Sequence, residues 1–284
     1  MQMYKSSLIL CSILIAQSSF GQDYKVLRTD SISEVVISEN RLQIPFNERN
    51  KNIEIITKED IAKLSAKSVN EVLAHMNGVD VRQRGPFGTQ ADISIDGGTF
   101  EQALILLNGI KISDPQTGHH TMNIPVALDA IERIEVLRGP MARVYGINAL
   151  TGAINIVTKS FSKSAISVHL QSGSSFENKE EGDGTGKYWG GAAQVVGQFG
   201  NEQFQNLISF STQKSNGQRY NSRTKDIRAY YQGGFQINKS NSLDWSAGYI
   251  ANEFGANGYY AAPGDKESYE FVKTFITHFS TKHY

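Results

Sequence analysis

The sequence predicts an α+β domain followed by antiparallel β-strands of the transmembrane-barrel type. Three observations predict it. Helix and strand signals are mixed between residue 23 and about residue 158. From Ser164 on, apolar and polar residues alternate with period two, the mark of a strand with two unlike faces. The connections between those runs are by turns short and long. Composition sets the bounds. The chain has 284 residues, with 28 Lys+Arg against 28 Asp+Glu, so its formal charge is zero. That argues against nucleic acid as a partner, which asks for a basic excess or stripe. An apolar content of 39% is too low for a bundle of membrane helices, and 26 Gly against 6 Pro suits turn-rich β structure.

Taken in order, residues 1–22 read as a secretory signal. Lys5 gives the positive start, Leu8 to Ala16 the apolar stretch, and Ser19-Phe20-Gly21 puts small residues at the two positions that a signal peptidase reads. The apolar run falls short of the roughly 20 residues that a spanning helix needs. The single Cys, Cys11, leaves with the signal, so no disulfide framework is expected. Residues 23–52 form a polar segment broken by one β-prone island, Glu34, Val35, Val36, Ile37 and Ser38. Residues 53–159 form the α+β domain. Ile53 to Ile56 reads as a strand, and Thr57 with Asp60 as the start of a short helix. Ser68 with Glu71 is the better capping box, opening a helix that carries Val69, Val72, Leu73 and Met76 and stops at Asn77-Gly78. Strands are expected at Val79 to Arg82, Ala91 to Asp96, Arg133 to Leu137 and Ala153 to Thr158. Asn108-Gly109, between Ala103–Leu107 and Ile110–Ile112, signals a tight hairpin, because both central residues of a type I′ turn need positive φ.

Residues 160–284 carry six alternating runs. Ile166, Val168 and Leu170 share a face. So do Ala193, Val195, Gly197 and Phe199; Phe204, Ile208 and Phe210; Ile227, Ala229, Tyr231, Phe235 and Ile237; and Leu243, Trp245, Ala247 and Tyr249. A sixth run starts near Glu270. Asn201-Glu202 and Asn238 to Ser242 are short connections; 174–187, 214–226 and 252–268 are long. A membrane barrel has that asymmetry, with long loops on the outer side. Alternation alone fits a soluble sandwich equally well, since one of its faces packs in a core. The secretory signal, the Cys-free mature chain and the turn asymmetry favour the barrel.

Few residues suggest catalysis, and the chain is read as a non-enzyme with no cofactor and no resident metal. Gly184-Thr185-Gly186-Lys187 fails as a phosphate loop, because Tyr188 stands where Ser or Thr should bind magnesium. There is no G-x-S-x-G and no H-E-x-x-H. His119-His120 is the conspicuous polar pair. It could ligate a metal or haem iron, but without a third ligand it reads more simply as a hydrogen-bonded loop.

Residues 130–159 resemble the end of the plug domain of TonB-dependent outer-membrane receptors. The matching residues are Glu135, Arg138-Gly139-Pro140, Tyr145-Gly146, Ala149, Gly152 and Ile154-Asn155-Ile156. Thr151 stands where the family often has a second glycine. Val69 to Leu73, Gly78-Val79 and Leu107 to Ile110 also resemble the plug, and Glu34 to Ser38 resembles the box that binds TonB. The resemblance spans about 34–159 and leans toward the cobalamin and iron-chelate receptors.

It implies a plug followed by part of a barrel, about six of an expected 22 strands. A lumen of that size holds a folded domain. At about 20 residues per strand the whole receptor would reach ~600 residues, so the chain reads as a fragment or truncated gene product. The resemblance implies an outer membrane of a Gram-negative bacterium, outer-membrane lipid around the strands, and TonB as the energy-transducing partner. TonB would pair with Glu34 to Ser38 by strand addition. The cargo would be a scarce large nutrient such as cobalamin or a ferric siderophore. Haem, an oligosaccharide or a peptide, or a soluble secreted binding protein, are the alternatives. Apical plug loops would bind cargo through Arg84, Gly85, Phe87, Gln90, Gln116, His119, His120 and Asn123, with Asn108-Gly109 pointing the other way. Arg133, Glu135 and Arg138 would dock the plug on the barrel wall.

Overall fold

The computed structural model describes residues 36–38, 43–45, 53–85, 89–114, 117–139, 142, 145–260 and 264–283. The signal at 1–22 and Glu34 and Val35 of the box lie outside the described residues. The chain divides into two units, Met1–Glu48 and Arg49–Tyr284. In the first, β1 (Val36–Ser38) pairs antiparallel with β2 (Gln43–Pro45), Ile37 opposite Ile44.

The second unit opens with β3 (Ile53–Thr57) and α1 (Lys58–Lys63). Thr57 caps α1 with a complete capping box: its Oγ1 accepts from the Asp60 amide and Asp60 accepts from the Thr57 amide. The sequence pointed to Ser68 for the better box, and the structure reverses that. Ser68 Oγ accepts from the Glu71 amide at 3.3 Å, but Glu71 reaches past Ser68 to the Lys67 amide at 2.8 Å. The extra methylene of Glu carries its carboxylate one residue further back. The helix that follows, α2 (Val69–Leu73), is also shorter than expected. Its last turn tightens into i→i+3 bonds from His75 and Met76, and the chain reverses at Gly78 with φ 61°.

β4 (Val79–Gln83) and β5 (Ala91–Ile95) form a hairpin. β6 (Ala103–Leu107) and β7 (Ile110–Ile112) form a second, turning at Asn108 and Gly109 with φ 53° and 76°. Both values are positive, as the hairpin reading requires. β8 (Ile131–Arg138) and β9 (Gly152–Thr158) complete a mixed sheet in the order β3-β8-β9-β6-β7, parallel only between β6 and β9. Its central strands are covered on both faces, so Ala103–Leu107 is apolar throughout rather than alternating. Three one-turn 3-10 helices that the sequence did not signal, Phe100–Gln102, Gly118–His120 and Leu128–Ala130, link these strands.

Six long strands follow as a meander: β10 (Ala165–Asn178), β11 (Lys187–Gly200), β12 (Phe204–Ser215), β13 (Thr224–Asn238), β14 (Asn241–Gly255) and β15 (Tyr269–His283). Register aligns Val168, Val195, Phe210, Ala229, Tyr249 and Phe275 in one row across all six. That row belongs to the outward face, where Val168, Val195, Phe210, Tyr249 and Phe275 are exposed. On the opposite face Gln194, Ser209, Ser211, Gln213, Asp226 and Asn252 are buried against the first domain. The pattern is inverted relative to a soluble sandwich, which buries its apolar face. A lipid-embedded barrel wall requires this inversion.

The strands run to 15 residues, longer than the 9–11 that cross a bilayer. From Ile227 to Ile237 the outward face of β13 is apolar or glycine, about 33 Å of strand. At the usual tilt that is about 25 Å of height, the thickness of a barrel's apolar band. No helix among the described residues is long and apolar enough to cross a membrane.

Candidate functional site

The ends of the wall can be told apart by its connections. Residues 201–203 and 239–240 make tight turns at one end; 179–186, 216–223 and 256–268 make long loops at the other. Asn108 donates to Gln232 Oε1 at 3.0 Å, toward the tight-turn end of β13. Arg84, His120 and Asn123 meet Tyr259, Glu270 and Asn252, all at the long-loop end. The two plug loops singled out from sequence therefore gather under the long loops, and Asn108-Gly109 points the other way.

Of the eight predicted loop residues, Phe87 and Gln116 lie outside the described residues. Of the other six, Arg84 and His119 meet at a carboxylate that the sequence reading missed. Asp92, on β5 and buried, accepts from His119 Nδ1 at 2.7 Å and has Arg84 Nη2 at 3.5 Å. His119 is presented by the 3-10 turn Gly118–His120, whose cap Thr117 accepts the His119 amide at 3.3 Å. Phe100 stacks on its ring at 4.6 Å. The carboxylate orients the imidazole by accepting a hydrogen bond from Nδ1–H, leaving Nε2 for an incoming group. His120 turns elsewhere: its Nε2 lies 3.5 Å from Glu270 on β15. The two imidazoles thus answer to different carboxylates on different elements, so they do not form one two-nitrogen clamp.

Arg84 also donates to the Tyr259 carbonyl at 2.7 Å, tying the β4–β5 tip to the loop after β14. Gly85 allows that approach, since a Cβ there would lie 2.4 Å from the Tyr259 hydroxyl oxygen. Burial pushes the Tyr259 phenol up, so it stays neutral and able to donate. Gln90 is buried, and its Oε1 has no hydrogen-bond partner among the described residues. Asn123 accepts from Asn252 Nδ2 at 2.8 Å, leaving its own amide nitrogen without a described partner. The site therefore holds one arginine–carboxylate pair, two imidazole–carboxylate contacts and buried amides with spare capacity, suited to a large, polar, hydrogen-bonding ligand.

The three docking candidates behave differently from expectation. Arg133 donates to Glu135 Oε1 at 2.7 Å, and Glu135, only 1% exposed, accepts from Asn155 at 2.9 Å. Asn155 in turn accepts from the Gly109 amide at 2.8 Å. Arg138 donates to Asp96 at 2.5 Å, to Glu54 at 2.9 Å and to the Asn77 carbonyl. All these partners are plug residues, so the three charges brace the plug itself, not the wall strands present here. A carboxylate buried this deeply is tolerated only when paired and hydrogen-bonded on the spot.

Docking falls to other residues. Arg228 on β13 donates to the Ile124 carbonyl at 3.0 Å while held bidentate by Asp226 at 2.8 and 3.2 Å. Ser209 accepts the Ala127 amide at 2.9 Å. Gln232 accepts from Asn108 and from Thr158, the latter at 2.7 Å. Val196, Leu207 and Tyr230 of the wall belong to the same apolar core as Ile124, Val126 and Ile134 of the plug. In the sequence Ser209, Arg228 and Gln232 were simply the polar half of an alternating pattern, with nothing to tell docking from solvation.

Comparison with known proteins agrees with this architecture. Residues 47–153 match the TonB-dependent Receptor Plug Domain family. The chain is 29% identical over 262 residues to the vitamin B12 transporter BtuB of Vibrio vulnificus, covering 90% of this chain and 42% of that protein. Over 129 residues it is 35% identical to the vitamin B12 transporter BtuB of Vibrio cholerae, covering 45% of this chain and 21% of that protein. Among solved structures, the siderophore receptor PirA of Pseudomonas aeruginosa superposes with a TM-score of 0.52 at 25% identity, covering 74% of this chain and 35% of that one. The ferric citrate transporter FecA in its unliganded form gives 0.60 at 19% identity, over 72% of this chain and 31% of that one, a likeness of fold. The matched relatives are transporters and receptors. The chain spans less than half the length of the curated relatives it matches. Residues 47–153 thus match a plug-type domain, and the six antiparallel strands that follow are similar in fold to part of those solved receptors.

Proposed function

We propose that this chain is the plug and first barrel strands of an outer-membrane receptor that takes up cobalamin or a ferric chelate. The observation that carries the proposal is the inverted wall. Its polar face is buried on the plug, and its apolar face is turned outward over about the height of a bilayer. The vitamin B12 transporters and siderophore receptors among its relatives support the choice of cargo. The apical cluster of Asp92, His119, Arg84, Gln90 and Asn123 would engage the cargo by hydrogen bonds. TonB would add a strand to the box at Glu34 to Ser38, of which Val36–Ser38 already has strand backbone. The receptor would catalyse no covalent step.

The test is a titration of the full-length receptor, extracted from outer membranes, with cobalamin, a panel of ferric siderophores and haem. One of the first two classes should bind saturably. Asp92→Asn, which weakens the hold on both Arg84 and His119, should reduce its affinity about tenfold. Haem binding lost in His119→Ala, with no response to cobalamin or siderophores, would overturn the choice of cargo. Recovery of the full-length protein in the soluble periplasmic fraction would overturn the receptor reading itself.

A further inference from the structure

The outward face of the wall ends differently at its two rims. Toward the tight turns it carries Phe199, Phe204, Phe235, Trp245 and Phe279. Toward the long loops the apolar band stops at a charged row, where register places Lys214, Lys225 and Glu253 side by side on β12, β13 and β14. Arg223 and Tyr269 lie one row further out, with the guanidinium 5.5 Å from the ring centre. Lys179, from the loop after β10, closes the group. Together these side chains line a cleft of about 420 Å³.

Charge in the cleft is not balanced. Its cations are Lys179, Lys214, Arg223 and Lys225; its carboxylates are Asp183 and Glu253. Asp183 is already engaged, accepting from the Tyr188 hydroxyl at 2.9 Å and the Asn221 amide at 3.0 Å. Glu253 is shared between Lys225 at 4.0 Å and the Tyr269 hydroxyl at 3.3 Å. Lys214 is exposed and makes no ion pair among the described residues. An outward cleft with two surplus cations, at the height where the apolar band gives way to water, matches the place and charge of an anionic lipid headgroup. The aromatic Tyr269 beside it suits the same interfacial depth.

We propose that this cleft is a binding site for the phosphate of an outer-leaflet lipid, separate from the cargo site on the inner face. Lys214 and Lys225 hold the phosphate directly, and Arg223, stacked on Tyr269, holds it from the loop side. The proposal rests on the barrel reading above, because only in that setting does the outward face meet lipid.

The test uses the full-length receptor and Lys214→Gln/Lys225→Gln, each extracted from outer membranes and placed in phosphatidylcholine nanodiscs. The discs carry lipid A, its dephosphorylated form, or neither, and bound lipid is counted by native mass spectrometry. The wild type should retain phosphorylated lipid A and not the dephosphorylated form. The double variant should retain it about tenfold less, and Lys214→Arg/Lys225→Arg should restore it. Cargo affinity should be the same in all three, which shows that the fold is intact. Equal retention by wild type and double variant, or no preference for the phosphorylated form, would overturn the proposal while leaving the barrel reading intact. Saturable binding of inorganic phosphate with no lipid retained would also overturn it. A protein that never enters the membrane fraction would overturn the proposal and the barrel reading together.

Discussion

Replacing Arg228 with methionine should loosen the plug from the wall, and the size of the effect follows from what surrounds it. Asp226 is 0% exposed and the Arg228 side chain 11%. The two are joined at 2.8 and 3.2 Å, and the third guanidinium contact carries the Ile124 carbonyl of the plug. Removing the arginine leaves a buried carboxylate without a counter-charge, which costs about 3–5 kcal/mol. The stranded Ile124 carbonyl adds about 1 kcal/mol. An exposed pair such as Lys63–Asp60, by comparison, is worth about 0.3–0.5 kcal/mol. With a urea slope of about 2 kcal/mol/M for a domain of plug size, the plug's unfolding midpoint should fall by about 2–3 M. The assay is urea unfolding of the full receptor in detergent, followed by protease sensitivity of the plug. Arg228→Met/Asp226→Asn, which strands no charge, should recover most of the loss. A single variant within about 0.5 M of wild type would refute this account of docking. A double variant worse than the single would refute it equally.

Further outcomes follow from other sites. Gly152→Ala would place a Cβ 2.6 Å from the Leu137 carbonyl and 2.8 Å from Ile95, so plug stability should drop by about 1–3 kcal/mol in the same urea assay. Glu135→Leu, which strands Arg133 and Asn155, should destabilise the plug while leaving the Arg228 contacts in place, read as earlier proteolysis within residues 131–158. Val36→Pro removes a backbone donor from the box, so uptake should fail while cargo still binds at the cell surface. Asp60 is held below its ordinary 3.8 by hydrogen bonds from Lys63 and Thr57. Its contribution to α1 is therefore complete above pH 4 and fades as pH falls through the lowered value, and Asp60→Asn should abolish that acid response in circular dichroism of the plug.

Local chemistry was legible in the chain. The Asn108-Gly109 turn was readable because tolerance of positive φ is a local property of Asn and Gly. The two faces of β11 to β14 were readable because the period of a strand is fixed by its own pleat. The plug was readable because its motifs are contiguous, and Thr57 with Asp60 formed the box that such spacing allows.

What the chain could not reveal were relations between distant residues. Alternation gives two faces but does not say which one is buried. Only the burial of Gln194, Ser211 and Asp226 against the plug decided that. Asp92 was an ordinary strand residue until folding brought His119, 27 positions away, to its carboxylate. Arg228 docks on a carbonyl 104 positions away, while Arg133, Glu135 and Arg138, which looked like docking charges, pair within the plug. A side chain's period and turn propensity are set by its own backbone, so the sequence by itself determined them. Its partner is set by which strands the sheet brings together, and only the tertiary structure decided that.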